Sequence, residues 1–260
     1  MVDLSFKMAD LEFFLLVLVR VTVFVYAAPF FGMSNVPHRV KIGIGVMLSL
    51  IVYYAVAPAR ELDYVSVFTF SVLVLKEAFT GVLIGLGASL CMSIVNFAGH
   101  LVDMETGLSM VTLFDSVSRD SVTISGVFYQ YVILLMLVLS GLHRFIIGAL
   151  ISSFNLIPVA GAVFDSEKLL SSIAVFLGDY ITIGFRISLP VFAALTLLNA
   201  ILGILAKVSP QLNMFAVGIQ LKILAGLGIL FLTVALLPKA STMILTEMNK
   251  TIQSFIGAMT

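Results

Sequence analysis

Apolar residues fall into six long blocks along the chain: Leu11–Phe31, Val40–Ala57, Tyr64–Ala98, Val122–Leu156, Ser172–Ala206 and Phe215–Leu237. Blocks of this length predict helices, because strands seldom exceed about 8–10 residues. The segment Met243–Met259 has a different pattern. Leu245, Met248, Ile252, Phe255 and Met259 recur at three- and four-residue steps, opposite Glu247, Asn249, Lys250 and Gln253. That spacing predicts an amphipathic helix suited to a membrane surface or a partner groove. The expected fold is all-α: a membrane-type protein of long, kinked helices and helical hairpins.

The connections between blocks are short and punctuated. Gly32–Arg39 combines a helix breaker, possible caps at Ser34 or Asn35, and Pro37 near a helix start. Pro58, Pro158, Pro210 and Pro238 mark other ends. Block length is the anomaly. A hydrocarbon core about 30 Å thick needs about 20 helical residues. Tyr64–Ala98, Val122–Leu156 and Ser172–Ala206 each run 35 residues, about 52 Å of helix, and tilt does not absorb the excess. Each block must kink, split or extend beyond lipid. Pro190 is the expected kink in the fifth, and Gly81, Gly85 and Gly87 are expected to weaken the third.

Composition sharpens this reading. Of 260 residues, 61% are hydrophobic and 11% charged, against about 45–50% and 25% in soluble domains. One core cannot enclose that much apolar surface, so lipid or other subunits must cover it. The formal net charge of zero gives no basic field for nucleic acid. The single cysteine, Cys91, excludes an internal disulfide and a cysteine-based zinc site. His38, His100 and His143 are far apart, and none begins a metal motif. No nucleophile elbow, phosphate-binding glycine loop or metalloprotease signature occurs, so neither an enzyme nor a cofactor is expected.

Charges inside the blocks are the candidate chemistry: Lys76, Glu77, Asp179, Arg186 and Lys222, with Arg20 in the first block and Arg144 in the fourth. A charge at bilayer centre costs about 2.5–3.5 kcal/mol on insertion scales. Lys76 and Glu77 are adjacent, so they point about 100° apart on a helix and cannot pair with each other. Each charge needs a partner on another helix, on another chain or in water. Two readings follow. One is an ion or proton relay, as in a secondary transporter; the other is interface ion pairs and snorkelling side chains. The spacing of Gly81 and Gly85 allows close helix packing. The stretch 104–125 is the most polar in the interior of the chain, yet it carries Met110, Leu113, Phe114 and Val117. These either tuck against adjacent helix ends or form a contact element.

The ordered set of short motifs resembles the FliR family of type III export-gate proteins and its virulence-system relatives, the SctT group. It comprises Arg20 with Ala28-Pro29-Phe30-Phe31-Gly32, then Val36-Pro37-His38-Arg39-Val40-Lys41, Lys76-Glu77, and Ala98-Gly99-His100-Leu101-Val102-Asp103. It continues with Gly141-Leu142-His143, Asn155-Leu156-Ile157-Pro158, Leu189-Pro190, and Asn199 through to Ser209-Pro210-Gln211-Leu212-Asn213. The resemblance covers essentially the whole chain. It implies a single gate domain over residues 1–260, with a FliP-like part over 1–180 and a FliQ-like part over 181–260. It implies partners as well: FliP-like and FliQ-like subunits in several copies, FlhB-like and FlhA-like export proteins, membrane lipid and unfolded protein substrates. It places the protein in the bacterial inner membrane at the flagellar basal body. It also implies a pore plug formed by Met110, Leu113, Phe114 and Val117, with Lys76, Glu77, Asp179, Arg186 and Lys222 buried at interfaces and Pro190 and Pro210 at a kink and a boundary. The alternative is a polytopic secondary transporter with a charged relay.

Overall fold

The computed structural model describes residues 8–56, 64, 66–109, 123–209 and 214–260. Helices dominate these residues: α1 (Met8–Ala27), α2 (His38–Val56), α3 (Val67–Thr106), α4 (Ile124–Leu139), α5 (Leu142–Leu156), α6 (Ser166–Val208), α7 (Met214–Thr233) and α8 (Leu237–Gly257). A single 3-10 turn, Val234–Leu236, joins the last two. Among the described residues, four helical stretches are long and apolar enough to cross a membrane, or five if the bent pair α4–α5 counts as one span. α1 has the length but is excluded by Asp10, Glu12 and Arg20 within its 20 residues.

The overlong blocks resolve in two ways. The fourth splits at Gly141, whose φ of 84° ends α4, and α5 leaves at 71° to it. Glycine tolerates this left-handed backbone without a Cβ clash. The fifth block does not split: α6 runs 43 residues with Pro190 inside it. The third also runs unbroken, as the 40-residue α3. The expected weakening at its glycines does not appear, because they serve as contact points. A methyl at Gly81 would run into the carbonyl of Arg20 on α1, one at Gly85 would lie 2.7 Å from Cβ of Ala27, and Gly87 faces the ring of Phe255 on α8.

The chain packs as two compact units, each drawn from distant segments: residues 1–90, 141–176 and 247–260, and residues 91–140 and 177–246. This partition concerns packing and leaves the division near residue 180 untouched. The core of the first unit is built on the stripe Leu16, Val17, Val21 and Phe24 of α1. Ile84 and Ala88 of α3, Ile146 and Leu150 of α5, and Ile252 and Phe255 of α8 join it. The second unit buries Ile94, Val95 and Ala98 of α3, Ile133 and Leu137 of α4, and Val191 and Leu195 of α6. There α3 and α4 approach backbone to backbone at Gly99 and Gly126, and Phe97 stacks on Tyr180 of α6 at 5.2 Å.

The amphipathic C-terminal segment is helical and starts earlier than its pattern suggests, at Leu237. Its inner face is also rotated: Ile244, Met248, Ile252 and Phe255 are buried, Leu245 is half-buried, and Glu247 is buried with them rather than facing outward. The end of α8 is held by backbone bonds, with the N–H groups of Val163 and Asp165 donating to the carbonyls of Met259 and Ala258.

Candidate functional site

The most densely bonded polar group lies in the core of the first unit. Arg20 belongs to the buried stripe of α1, and Glu77 occupies a core position of α3 beside Thr80 and Ile84; both charged side chains are 0% exposed. The guanidinium meets the carboxylate two-pronged, Nε donating to Oε2 at 2.5 Å and Nη2 to Oε1 at 3.0 Å. Nη1 of Arg20 donates to the carbonyl of Ile157 at 3.0 Å, and the Ala160 backbone N–H donates to Glu77 Oε1 at 2.8 Å. The guanidinium also sits 4.2 Å over the ring of Phe154.

This clasp joins three segments far apart in sequence: α1, α3 and the turn after α5. The close α1–α3 approach that Gly81 permits sets the two charges at bonding distance. A planar guanidinium suits such a site because its fork matches a carboxylate and its face stacks on an aromatic ring. Ala160 has φ 66°, a left-handed conformation unfavourable for a residue with a Cβ. The hydrogen bond from its N–H to Glu77 offsets that strain. With all three guanidinium nitrogens and both carboxylate oxygens engaged, the group is built to fasten.

A second, smaller device caps α4. Both carboxylate oxygens of Asp103 on α3 accept the backbone N–H of Ser125, at 3.1 and 3.3 Å. The N-cap residue Thr123 makes no side-chain bond of its own, so a carboxylate from a neighbouring helix compensates the amide and the helix dipole. In the first unit, Lys41 donates to the carbonyl of Gly32 at 3.0 Å and lies 5.4 Å over the ring of Tyr26.

The other sequence candidates are dispersed. Lys76, Asp179 and Lys222 are half-buried, and Arg186 is exposed. Of the charges singled out, Arg20 and Glu77 are fully buried, and they are each other's partners within the same chain. Pro190 is half-buried within continuous helix. Met110, Leu113, Phe114 and Val117 lie outside the described residues, as does Pro210. Among the described residues no cluster of three or more metal-ligating side chains forms. Sequence reasoning named Arg20 as a charge without placing it opposite Glu77, and it missed Asp103 as a cap. A signal for the first was present: Arg20 and Glu77 each occupy the apolar stripe of their own helix, and opposite charges at two core positions must meet.

Four long apolar stretches, a bent helix pair and a buried clasp define a helical membrane protein whose α3 and α6 outgrow one bilayer crossing. Residues 11–248 match the family described as bacterial export proteins, family 1, and the chain belongs to it. It is 33% identical to the flagellar biosynthetic protein FliR of Bacillus subtilis (strain 168), over 81% of each chain. It is 28% identical to the FliR of Escherichia coli (strain K12), over 82% of this chain and 80% of that one. The FliR of Aquifex aeolicus (strain VF5) is also 28% identical, over 89% of this chain and 90% of its own.

Proposed function

We propose that this chain is a non-enzymatic subunit of the flagellar type III protein export gate. It assembles with FliP-like and FliQ-like subunits into the channel through which unfolded flagellar proteins pass. The observation that carries this reading is its likeness to proteins named FliR over more than four-fifths of the chain. The physical character of the chain supports it. Only 11% of the most apolar window of α6 is buried, and 17% of that in residues 217–257. Leu197, Ile204, Leu224 and Phe231 are among the large side chains left exposed. Helices of about 60–64 Å cannot hide such faces in lipid about 30 Å thick, whereas neighbouring subunits can cover the remainder.

In this reading the gate sits in the inner membrane at the flagellar basal body, in contact with FlhB-like and FlhA-like proteins. Residues 1–180 correspond to a FliP-like part and 181–260 to a FliQ-like part, and the segment around Met110–Ser121 lines and closes the pore. A relay reading needs a carboxylate with an idle oxygen facing a path. Both oxygens of Glu77 are held by Arg20 or Ala160, which favours the gate. Mass spectrometry of the chain purified in mild detergent after co-expression tests the proposal: FliP-like and FliQ-like subunits are expected in fixed, multiple copies. A stable monomer that moves ions or solutes by itself would overturn it.

A further inference from the structure

A cavity of about 380 Å³ opens in the second unit, within the range that holds small ligands. Arg186 of α6 and Lys239 of α8 line it, with Tyr129 of α4 and Thr233 of α7. The rest of the lining is mainly apolar and includes Pro190 and Leu237. Neither cation has an ion-pair partner among the described residues.

The charge of this site calls for an anion. Two uncompensated cations beside one cavity repel each other. Pro190 supplies no N–H to the carbonyl of Arg186 one turn earlier, leaving a backbone acceptor for a hydroxyl donor. A phosphodiester satisfies the cations, with Arg186 presenting its fork and Lys239 a point charge. The apolar wall suits the glycerol and first methylenes that follow a headgroup, and the cavity lies among helices long enough to cross a membrane.

We propose that this cavity is a binding site for the headgroup of an anionic phospholipid. A zwitterionic lipid is the poorer occupant because it brings its own cation to a site that already holds two.

The test uses the chain in the complex that carries it, purified in mild detergent and exposed to phosphatidylglycerol or phosphatidylcholine before native mass spectrometry. The unaltered protein is expected to retain phosphatidylglycerol in preference. R186Q/K239Q should lower retention by about tenfold or more, and R186K/K239R should keep most of it. K168Q, a change at an exposed lysine of the other unit, should have no effect. Equal retention of the two lipids would overturn the proposal, as would equal loss in K168Q. Displacement of the lipid by millimolar inorganic phosphate would show a free-anion site and overturn the lipid assignment. A crosslink from the cavity to an acidic segment of a co-purifying protein would overturn it as well.

Discussion

Arg20 and Glu77 show how much rests on two side chains. Removing one partner of a buried pair strands the other charge, at a cost of about 3–5 kcal/mol. Glu77→Ala should therefore lower the thermal aggregation midpoint of the purified complex and its yield. Replacing both partners, as in R20M/E77L, should recover part of the loss, because apolar side chains remove the desolvation penalty together with the attraction but leave the Ile157 carbonyl and the Ala160 amide without their partners. If the double variant is no better than Glu77→Ala, the clasp is not what the single change breaks. These residues were legible as charges in apolar blocks, and their stripe positions pointed to the core. The Ala160 amide and the Ile157 carbonyl were not legible, because any residue offers a backbone donor and acceptor and only the fold selects which are used.

Helices in this chain are shaped by glycine contacts and end caps. A methyl at Gly99 would overlap the backbone of Gly126, whereas one at Gly148 would meet nothing within 4 Å. Gly99→Ala should thus separate α3 from α4 and reduce complex yield, while Gly148→Ala should be neutral or stabilising by about 0.5–1 kcal/mol. Yield and thermal midpoint of the two variants check the contrast; equal behaviour would remove the close-approach argument. At the start of α6, Asp165 accepts the backbone N–H groups of Glu167 and Lys168, both at 3.1 Å. The Lys168 N–H is the main cause holding the carboxyl below its ordinary value, helped by the Glu167 N–H and the Lys168 ammonium against a smaller opposing effect of desolvation. A depressed folded pKa gives stability that is present above the ordinary value of 3.8 and is lost as pH falls through the lower folded one. Protection of the first-turn amides of α6, taken relative to their intrinsic exchange rates, should fall in acid in the unaltered chain. Asp165→Asn should flatten that dependence, and an unchanged acid profile would sink the assignment. Helix existence was legible from hydropathy, and so was the need for the overlong blocks to break or extend. Which block breaks was not: one proline can be absorbed in a continuous helix, whereas a left-handed glycine ends one, and both read as breakers in sequence.

The molecule as a whole exposes apolar faces that composition had already announced. Hydropathy could not apportion them between lipid and protein, since leucine serves both equally. The expectation at this scale is that the chain aggregates alone and is monodisperse with its FliP-like and FliQ-like partners, as read by size exclusion in detergent. A second expectation concerns the segment 110–121. On the gate reading, deleting it or replacing Leu113 and Phe114 with glycine should leave the complex assembled but leaky to ions, because burying each such side chain is worth about 1.5–3 kcal/mol to a seal. Bilayer conductance measures this, and an assembled variant that does not leak would contradict the plug.

The clasp also has a consequence in time. Arg20 leaves the ribosome 57 residues ahead of Glu77 and 137 ahead of Ile157. At a synthesis rate of about 5–20 residues per second, the guanidinium waits about 3–11 s for its counter-charge. Released into lipid in that interval, α1 would carry an uncompensated cation. Its membrane commitment must therefore wait for α3, with the insertion machinery or a water-filled vestibule sheltering it. In arrested nascent chains ending before Glu77, a cysteine placed on α1 should stay open to a water-soluble thiol reagent, and in chains extending past Ala160 it should be shielded. The two ends of one ion pair thereby make the birth of the first helix depend on the third.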